Sequence, residues 1–445
     1  MKVRFAPSPT GYMHVGNCRT LLINWLFARH HGGVFLLRLD DTDRERSEKK
    51  YETALLEDIA WLGLEFDAYE RQSDRLERYK EGAEMLKASG RLYACYETPE
   101  ELEFKRRRQI SRGMPPIYDR EALQLTDAQK TQYEKEGRKP HWRLLLNDAP
   151  IDWEDLIRGP IHLEGSKLSD PVLVREDGFP IYTLASVIDD MDMNITHIIR
   201  GEDHLTNTAV QIQLWRALGI ADGTIKFGHL SLLANADGTE LSKRLGSTSI
   251  RDFRAQGILP MALNSLLAKL GTSDPVQAYD SLDALVNHFD ISKFAKGTPK
   301  FSMEDITHMN KKVIHTLPYE KAVEYSHFSS MDSLFWEAVR PNLESLNEVE
   351  MWWTICRGTV RTFVANEDKI FIREALASLP QGPWEPMPWK EWLHLLKTVS
   401  GRKGKELFMP LRAALTGQDH GPELQGLVEL MGPDLARKRL EGALL

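Results

Sequence analysis

A phosphate site is indicated near the start of the chain by the segment Pro7-Ser8-Pro9-Thr10-Gly11-Tyr12-Met13-His14-Val15-Gly16-Asn17. His14 can donate a hydrogen bond to a phosphate oxygen, and Gly16 has no side chain to keep a ligand away from the backbone. The segment joins a strand-like stretch to a helical pattern, and the N-terminus of a helix favours anions. These features predict a nucleotide phosphate site, and the alternative is a turn that carries a surface histidine.

A second group of residues that could act on phosphates follows much later, in Glu240-Leu241-Ser242-Lys243-Arg244. The ammonium of Lys243 is carried on a flexible side chain, so it can follow negative charge onto a departing diphosphate in a transition state. For Lys243 alone, a solvated loop charge is the alternative. Because Lys243 and His14 lie at opposite ends of one α/β pattern, the catalytic interpretation is favoured.

The elements that would position these residues alternate between strands and helices. A strand is predicted at 2–6, a helix from Val15 to about His31, and a second strand at Val34 to Leu39. Ser47 is the predicted cap of a second helix, whose apolar face carries Leu55, Leu56, Ile59 and Leu62. This order predicts an α/β fold with a parallel sheet of the dinucleotide-binding kind.

The α/β pattern is interrupted and then resumes. Between about Ala94 and Pro180 the pattern is irregular, and the alternation returns at Ile181, so an insertion divides the α/β domain. After about Lys311 no strand pattern is found, which predicts an all-helical C-terminal third. Core packing is the first interpretation of its tryptophans, which are Trp336, Trp352, Trp353, Trp384, Trp389 and Trp392.

Length and composition exclude several classes of protein. The 445 residues are too many for one core and predict two to four domains, and 42% apolar with 27% charged residues exclude a wholly disordered chain. No run of about 18 apolar residues occurs, so we expect a cytoplasmic protein without a membrane span. The net charge of −8 argues against indiscriminate coating of nucleic acid. Cys18, Cys95 and Cys356 are too far apart for a disulfide framework or a four-cysteine zinc site.

Several motifs in one order give the chain a resemblance to a known family. They are His14-Val15-Gly16-Asn17, Arg38 to Asp43, Asp177 to Tyr182, Ile199 to His204, Glu240 to Arg244 and Gly404 to Arg412. The chain resembles class I aminoacyl-tRNA synthetases, and specifically bacterial glutamyl-tRNA synthetases, over nearly its whole length. The resemblance implies a split Rossmann-type catalytic domain, an inserted acceptor-binding domain and a C-terminal all-helical anticodon-binding domain.

The resemblance and the sequence pattern together predict the domain limits. The two halves of the catalytic domain are expected at 1–93 and 181–244, with the insertion for the acceptor end of tRNA at 94–180. A segment that contacts the tRNA stem is expected at 245–310, and the anticodon-binding domain at 311–445.

The resemblance also assigns site residues. ATP binding, with Mg²⁺ as its companion ion, is implied for His14, Gly16, Asn17, Glu202, Ser242, Lys243 and Arg244. Among these, His14 and Lys243 are the implied catalytic residues. Glutamate binding is implied for Arg4, Ser8, Asp40, Tyr182 and Arg200. Because an arginine fork distinguishes a carboxylate from an amide by charge, Arg4 and Arg200 are predicted to bind the side-chain carboxylate of glutamate.

The chain departs from the family pattern at several positions. Asp40 is shorter than the glutamate common in the family, which favours a contact through water, and Ser186 stands where many members have a larger residue. Asn17 replaces the second histidine of the wider class signature, and Glu240 replaces the usual lysine of the loop signature. The essential cation, Lys243, is retained.

A zinc site in the insertion, which some relatives carry on a Cys-x-Cys pair and a later Cys-x-His pair, is not expected here. Cys95 is followed by Glu97 where the second cysteine would stand, and 118–123 contains neither cysteine nor histidine. One soft ligand does not make a structural zinc site. The expected cofactors are therefore ATP with Mg²⁺ and no zinc.

Basic residues in the two predicted tRNA-binding domains are candidates for phosphate contacts. They are Arg106, Arg107 and Arg108 in the insertion, and Arg402, Lys403 and Lys405 near the C-terminus. A solvated helix face is the alternative for the first group, because Glu100, Glu101 and Glu103 precede it. Exposed aromatic residues of the C-terminal third could stack on anticodon bases.

The activity implied by the resemblance is attachment of L-glutamate to the 3′ end of tRNA(Glu) through glutamyl-adenylate, by a monomer that uses ATP. Charging of tRNA(Gln), in addition or instead, stays open. Two alternatives are a catalytically silent tRNA-binding paralogue and an enzyme that attaches glutamate to a modified tRNA base. The retained His14, Lys243, Arg4 and Arg200 argue against the first. Length argues against the second, because those shortened relatives lack an anticodon domain.

Overall fold

The computed structural model describes residues 1–43, 45–239, 241, 249–384 and 386–445. The chain divides into two compact units. The first unit contains Met1–Arg251, Leu267–Val276 and Ser281–Ser302, and the second contains Asp252–Leu266, Gln277–Asp280 and Met303–Leu445.

The strands of the described residues, in chain order, are β1 (Lys2–Phe5), β2 (Val34–Leu39), β3 (Ala68–Arg71), β4 (Leu92–Cys95), β5 (His141–Leu144), β6 (Ile151–Asp155), β7 (Gly159–Leu163), β8 (Val172–Val174), β9 (His197–Gly201), β10 (Lys226–Leu230), β11 (Ala234–Asn235) and β12 (Lys300–Phe301).

The α-helices of the described residues are α1 (Val15–His30), α2 (Lys49–Trp61), α3 (Leu76–Ala88), α4 (Pro99–Ser111), α5 (Asp127–Lys135), α6 (Tyr182–Asp192), α7 (Leu205–Ala217), α8 (Ile250–Ala255), α9 (Pro260–Lys269), α10 (Leu282–Asn287), α11 (Met303–Thr316), α12 (Tyr319–Ser326), α13 (Ser333–Val339), α14 (Val349–Arg357), α15 (Lys369–Ala377), α16 (Trp389–Ser400), α17 (Lys405–Thr416) and α18 (Leu424–Gly442).

Two parallel arrangements of strands form the centre of the first unit. One sheet has the order β1-β2-β3, and in the other β9 and β6 both pair parallel to β10. The backbone N–H of Thr196 donates to Lys2 O at 2.9 Å, so β1 starts beside β9. The predicted β1, α1, β2 and parallel sheet are confirmed, and the chain is a mixed α/β protein in this unit.

The predicted cap of the second helix is wrong. This helix, α2, begins at Lys49, and its N-terminal cap residue is Glu48, whose side chain makes no capping hydrogen bond. The backbone N–H of Ser47 donates to Asp43 O at 2.9 Å, and that of Glu48 donates to Pro9 O at 3.1 Å. Because these bonds tie both residues to the preceding turns, the helix starts after them.

The stretch that was predicted as an insertion contains two kinds of strand. Strands β4, β5 and β8 form a separate antiparallel sheet, with the exposed helices α4 and α5 between β4 and β5. The antiparallel hairpin β6-β7, in contrast, extends the sheet of β9 and β10. The hairpin therefore belongs by its hydrogen bonds to the parallel core, and the boundaries at 94 and 180 stay predictions.

An apolar core between α3, α6, α7 and the second sheet holds this unit together. Leu184 and Ile188 of α6, Leu214 of α7 and Ile198 of β9 are fully buried. Each such side chain contributes about 1.5–3 kcal/mol when it is removed from water. Gly82 allows α3 to approach α6 closely, because a Cβ there would lie 2.3 Å from Ile188 Cδ1.

The second unit is helical. After Phe301 the described residues contain no strand, as predicted. Helix α14 ends at Arg357, because Gly358 adopts an extended backbone. Core packing is confirmed for four of the tryptophans, which are Trp336, Trp352, Trp389 and Trp392. Trp353 and Trp384 are half-buried. Within the part of the chain that is described, no helix is long and apolar enough to cross a membrane.

Half-buried histidines make the stability of the first unit depend on pH. Burial lowers the pKa of His141, His197 and His204 to about 4, from an ordinary value of 6.5. Between pH 7 and about pH 5, these histidines would therefore take up protons in the unfolded chain but not in the folded chain. We expect the free energy of unfolding to decrease as the pH falls from 7 to about 5.

Urea unfolding at pH 7 and at about pH 5 measures this effect. The variant His197→Gln should show a smaller decrease than the parent chain, because it lacks one of the three groups. A free energy of unfolding that is equal or larger at the lower pH would contradict the prediction.

Candidate active site

A cavity of about 550 Å³ lies at the carboxyl ends of β1, β9 and β10, beside the N-terminus of α1. Ligands of open parallel sheets bind at this edge. The lining residues include most of the predicted site residues that are described, namely Arg4, Ser8, His14, Gly16, Asn17, Tyr182 and Arg200. Residues distant in sequence are thus brought to one cavity.

His14 is the N-terminal cap of α1. Its Nδ1 accepts hydrogen bonds from the backbone N–H groups of Gly16 at 3.1 Å and Asn17 at 3.4 Å. Nδ1 is therefore unprotonated in this arrangement, and Nε2 carries the hydrogen. His14 is exposed, but the surrounding protein still lowers its pKa by desolvation. The lowered pKa favours the neutral ring. A neutral donor beside a helix N-terminus suits a phosphate oxygen.

Replacing Gly16 by Ala is expected to slow adenylate formation on the order of tenfold, because a displaced His14 would be misaligned for phosphate. A Cβ at Gly16 would lie 3.1 Å from His14 Cε1 and 3.2 Å from Nδ1, so the ring must move. Single-turnover rates measure the effect.

Gly11→Ala is the matched control for this prediction. A Cβ at Gly11 would meet no atom within 4 Å, and Gly11 does not line the cavity. Equal rates for the two variants would show that crowding of the His14 ring has no consequence for the reaction.

Arg200 is a buried cation that faces the cavity. Its Nη2 donates to Thr208 Oγ1 and to Gln211 Oε1, both at 2.6 Å, and its Nη1 donates to the hydroxyl of Tyr182 at 3.1 Å. Its Nε is buried and has no hydrogen-bond partner among the described residues, and no carboxylate forms an ion pair with it there. Burial lowers the pKa of Arg200, so an anionic ligand would stabilise its charge.

Arg4 also lines the cavity but has a protein carboxylate as its partner. Its Nε lies 3.0 Å from Asp190 Oδ1, and Asp190 also accepts from Arg38 Nη1 at 2.8 Å. Asp190 is fully buried, and although burial raises the pKa of its carboxyl, Arg4 and Arg38 hold it below its ordinary value. Arg4 is thereby fixed at the wall of the cavity.

Asp40 does not line the cavity. Both of its carboxylate oxygens accept from Arg38, at 2.7 and 3.2 Å. Burial raises the pKa of Asp40 to about 6, against the opposing effect of Arg38. In the structure the Asp40 carboxylate binds Arg38. A contact between Asp40 and a substrate ammonium group therefore stays a prediction.

The remaining predicted ATP residues lie partly outside the described residues. Ser242, Lys243 and Arg244 are not described, and neither is Glu240. Ser249, the first residue described after that gap, forms a β-bridge with His14, and Ile250 N–H donates to Met13 O at 2.9 Å.

Glu202 does not line the cavity. Its carboxylate forms an ion pair with Arg158 and accepts from the backbone N–H of Leu232 at 3.0 Å. The Glu202 carboxylate is thus bound by other residues of the protein and lies outside the cavity. Its contact with ATP stays a prediction.

Sequence reasoning missed several residues of the site. Arg19 and His204 line the cavity. Thr208 and Gln211 do not line it but accept hydrogen bonds from Arg200 Nη2. A signal for the last two exists, because they are polar residues three positions apart in the buried helix α7. Asp190 carries a similar signal as a carboxylate in the buried helix α6.

The basic residues predicted to bind tRNA differ in their surroundings. Arg106 and Arg107 are exposed on α4 and form ion pairs with Glu103 of the same helix, and Arg108 is also exposed. Arg402 instead pairs with Asp368 and lies over the ring of Phe371. Lys403 and Lys405 are exposed. The exposed cations are the ones available to a phosphate.

The region in which some relatives carry a zinc site has, in this chain, a lysine among carboxylates. Lys105 Nζ lies 3.3 Å from Glu97, 3.2 Å from Asp119 and 2.6 Å from Glu121. Cys95 is buried nearby, and burial raises the pKa of its thiol to about 12. The cation of this carboxylate cluster is thus supplied by the chain.

Comparisons with known proteins agree with this geometry. A family model described as "tRNA synthetases class I (E and Q), catalytic domain" matches residues 1–314, and one described as "Anticodon binding domain" matches residues 365–444. A glutamate–tRNA ligase of Azospirillum brasilense is 53% identical over 99% of this chain and 98% of its own. Glutamate–tRNA ligase 1 of Zymomonas mobilis is 50% identical, with 99% of both chains covered.

A solved structure is similar over the full length. It is that of a glutamate tRNA ligase from Elizabethkingia meningosepticum in complex with its amino acid, with a TM-score of 0.85 and 27% identity. The alignment covers 100% of this chain and 99% of that one. By these matches, the chain belongs to the class I glutamyl- and glutaminyl-tRNA synthetase family.

Proposed function

We propose that this chain is a glutamate–tRNA ligase, which joins L-glutamate to the 3′ end of tRNA(Glu) with ATP. One observation carries the proposal beyond family membership: the buried guanidinium of Arg200 faces the cavity, and its hydrogen-bond partners among the described residues are all neutral. A cation in this state favours a carboxylate ligand over an amide. Relatives named glutamate–tRNA ligase, 48–53% identical over nearly the whole chain, support the same substrate.

The amino-acid substrate is proposed to bind between Arg4 and Arg200. Arg200 would pair with the side-chain carboxylate through the second hydrogen of Nη1, since the first donates to Tyr182 and both hydrogens of Nη2 donate to Thr208 and Gln211. Arg4 would add a second cation, while Ser8 and the hydroxyl of Tyr182 supply hydrogen bonds at the cavity wall. Asp40 is proposed to contact the substrate ammonium group through a water molecule.

The first step of the proposed reaction forms glutamyl-adenylate. An oxygen of the glutamate α-carboxylate attacks the α-phosphorus of ATP, the bond to the bridging oxygen breaks, and diphosphate leaves. His14 Nε2–H would donate to the phosphates, and Gly16 and Asn17 lie where the backbone can approach them. Lys243 would follow charge onto the departing diphosphate, with Ser242, Arg244 and Glu202 in supporting roles. A hydroxyl of the terminal tRNA ribose then takes the acyl group, and AMP leaves.

Magnesium would be held chiefly by the phosphates of ATP and by water. Among the described lining residues, Asp203 is the carboxylate at the cavity. This donor set fits Mg²⁺, which keeps several waters and takes one or two carboxylates together with substrate phosphates. Bound there, the ion would neutralise phosphate charge.

Binding of tRNA is proposed to use both predicted tRNA-binding domains. The acceptor end would lie against 94–180 and the exposed Arg106, Arg107 and Arg108, and the stem against 245–310. The anticodon would lie against 311–445, where Lys403 and Lys405 are exposed and Phe363 and Phe408 are exposed aromatic residues. We further propose that the chain acts as a monomer in the cytoplasm and that tRNA(Gln) is a second candidate substrate.

The two other functions are less well supported. Attachment of glutamate to a modified base is typical of shortened relatives, whereas this chain matches an anticodon-binding domain at 365–444. A silent paralogue is disfavoured because Arg4, His14 and Arg200 meet at one cavity.

Aminoacylation with labelled glutamate and with purified tRNA(Glu), purified tRNA(Gln) and unfractionated tRNA tests the proposal. We expect tRNA(Glu) to be charged, and removal of its terminal adenosine to abolish charging. Labelling that survives this removal would assign the product to a modified base. The absence of charging by a protein that still binds tRNA would identify a silent paralogue.

The purified protein is expected to contain no stoichiometric zinc, because Lys105 already supplies the cation of the carboxylate cluster at Glu97, Asp119 and Glu121. Elemental analysis after dialysis measures the metal content. One tightly bound zinc per chain, lost in the variant Cys95→Ser, would contradict this expectation.

A further inference from the structure

A chain of buried hydrogen bonds leads from Arg200 away from the cavity. Arg200 Nη2 donates to Thr208 Oγ1 at 2.6 Å, and Thr208 Oγ1 lies 2.9 Å from His229 Nε2. His229 Nδ1 lies 2.5 Å from Asp155 Oδ2. All four residues are at most 5% exposed. The residues come from three strands and a helix, so the sheet aligns them: His229 in β10 is the register partner of Arg200 in β9.

The hydrogen bonds have a defined direction. Asp155 accepts from the backbone N–H groups of Ile157, Arg158 and His229 and from the His229 ring. Burial raises the pKa of Asp155, but these hydrogen bonds outweigh it and keep the carboxyl ionised. Burial also lowers the pKa of His229, so the ring is neutral. Its Nδ1–H therefore donates to Asp155, and its Nε2 is an acceptor that the Thr208 hydroxyl faces, as it also faces the backbone O of His204 at 3.1 Å.

This direction determines what Thr208 offers to Arg200. Because both acceptors of the hydroxyl hydrogen, His229 Nε2 and His204 O, lie apart from Arg200, which can only donate, a lone pair of Oγ1 is left for Arg200 Nη2. The second acceptor of Nη2, Gln211 Oε1, is also neutral and is fixed by donation of its amide to Ser186 Oγ at 2.9 Å. Arg4 is held by the carboxylate of Asp190. Arg200 is thus held without being neutralised.

We propose that Thr208, oriented by His229 and Asp155, is a positioning residue that fixes the Arg200 guanidinium for the side-chain carboxylate of the substrate. The inference rests on the proposed function, in which Arg200 binds that carboxylate. A charged hydrogen bond from the remaining Nη1–H to the substrate requires the planar guanidinium in one orientation, and two neutral acceptors on Nη2 provide it. The positive charge remains available to the substrate.

Thr208→Val tests the inference, because valine keeps the shape and removes the hydroxyl. We expect KM for glutamate to rise on the order of tenfold, with KM for ATP unchanged and with weaker discrimination against glutamine as a competitor. Thr208→Ser restores the hydroxyl and should return KM for glutamate to within about twofold of the parent chain.

Gln213→Leu is the matched control. Gln213 is buried on the same helix and makes hydrogen bonds with the backbone of Asn147, but it does not line the cavity. Its loss should lower the thermal midpoint and leave KM for glutamate unchanged. A purely structural role of Thr208 would give the same pattern as this control.

The outcomes separate the inference from the function on which it rests. If Thr208→Val does not fold, Thr208→Ala removes the same hydroxyl without adding bulk and should show the same rise. A rise for Arg200→Lys with none for Thr208→Val or Thr208→Ala would overturn the inference alone. No rise for Arg200→Lys would overturn the substrate assignment and the inference together. A serine variant as defective as the valine variant would also overturn the inference.

Discussion

Arg200→Gln is expected to reduce kcat/KM for glutamate on the order of a hundredfold or more. Removing one partner of a buried charged contact costs about 3–5 kcal/mol, because the other partner is left unpaired in a site that excludes water. Here the substrate carboxylate would lose its cation, and Thr208 and Gln211 would lose a common donor. Initial rates of aminoacylation over a range of glutamate concentrations measure the loss.

Arg216→Gln is the matched control for Arg200→Gln. Arg216 is on the same part of the fold, in α7, and forms an ion pair with the exposed Asp222 at 2.7 Å. An exposed pair of this kind contributes about 0–1 kcal/mol, so the variant should keep its kinetics. If both variants had the kinetics of the parent chain, Arg200 would not bind the substrate.

Lys243→Ala is expected to slow adenylate formation on the order of a hundredfold and to leave tRNA affinity unchanged. A cation that meets charge developing on phosphate acts mainly in the transition state, so the loss should appear in the rate rather than in ATP binding. The measurements are single-turnover adenylate formation at saturating ATP and a tRNA binding titration.

Lys226→Ala removes the same charge from the exposed start of β10 and serves as the control. Recovery of the Lys243→Ala rate at high ATP would show that the ammonium holds only ground-state ATP. A collapse of tRNA binding with intact chemistry would assign Lys243 to the other substrate.

The local elements around the site could be predicted because their signals are local. The strand at Val34–Leu39 and the helix before it follow from apolar spacing and from a glycine pair that ends the helix. His14 and Gly16 stand out by residue type at a strand-to-helix junction. The sequence does not show that these two residues contact one another. In the structure His14 caps the helix, and the missing side chain of Gly16 leaves space for the His14 ring.

The partners of the buried charges could not be predicted in the same way. Arg38 binds Asp190, which is 152 positions away in sequence, and His229 binds Asp155, which is 74 positions away. Both pairs exist because strand order brings the residues together, and no local pattern encodes that order. The hairpin β6-β7 shows the same limit, since its partner β10 follows about sixty residues later.

The lysine among the carboxylates of the insertion has a consequence for how this region depends on its surroundings. Stability that comes from a bound metal varies with the free concentration of that metal, because binding shifts the folding equilibrium by mass action. Lys105 is attached to the chain and is always present at its three carboxylates. Chelators or metal starvation would not remove it, whereas acylation of its amino group would. The stability of this region therefore depends on an unmodified Lys105 amino group rather than on the supply of a metal.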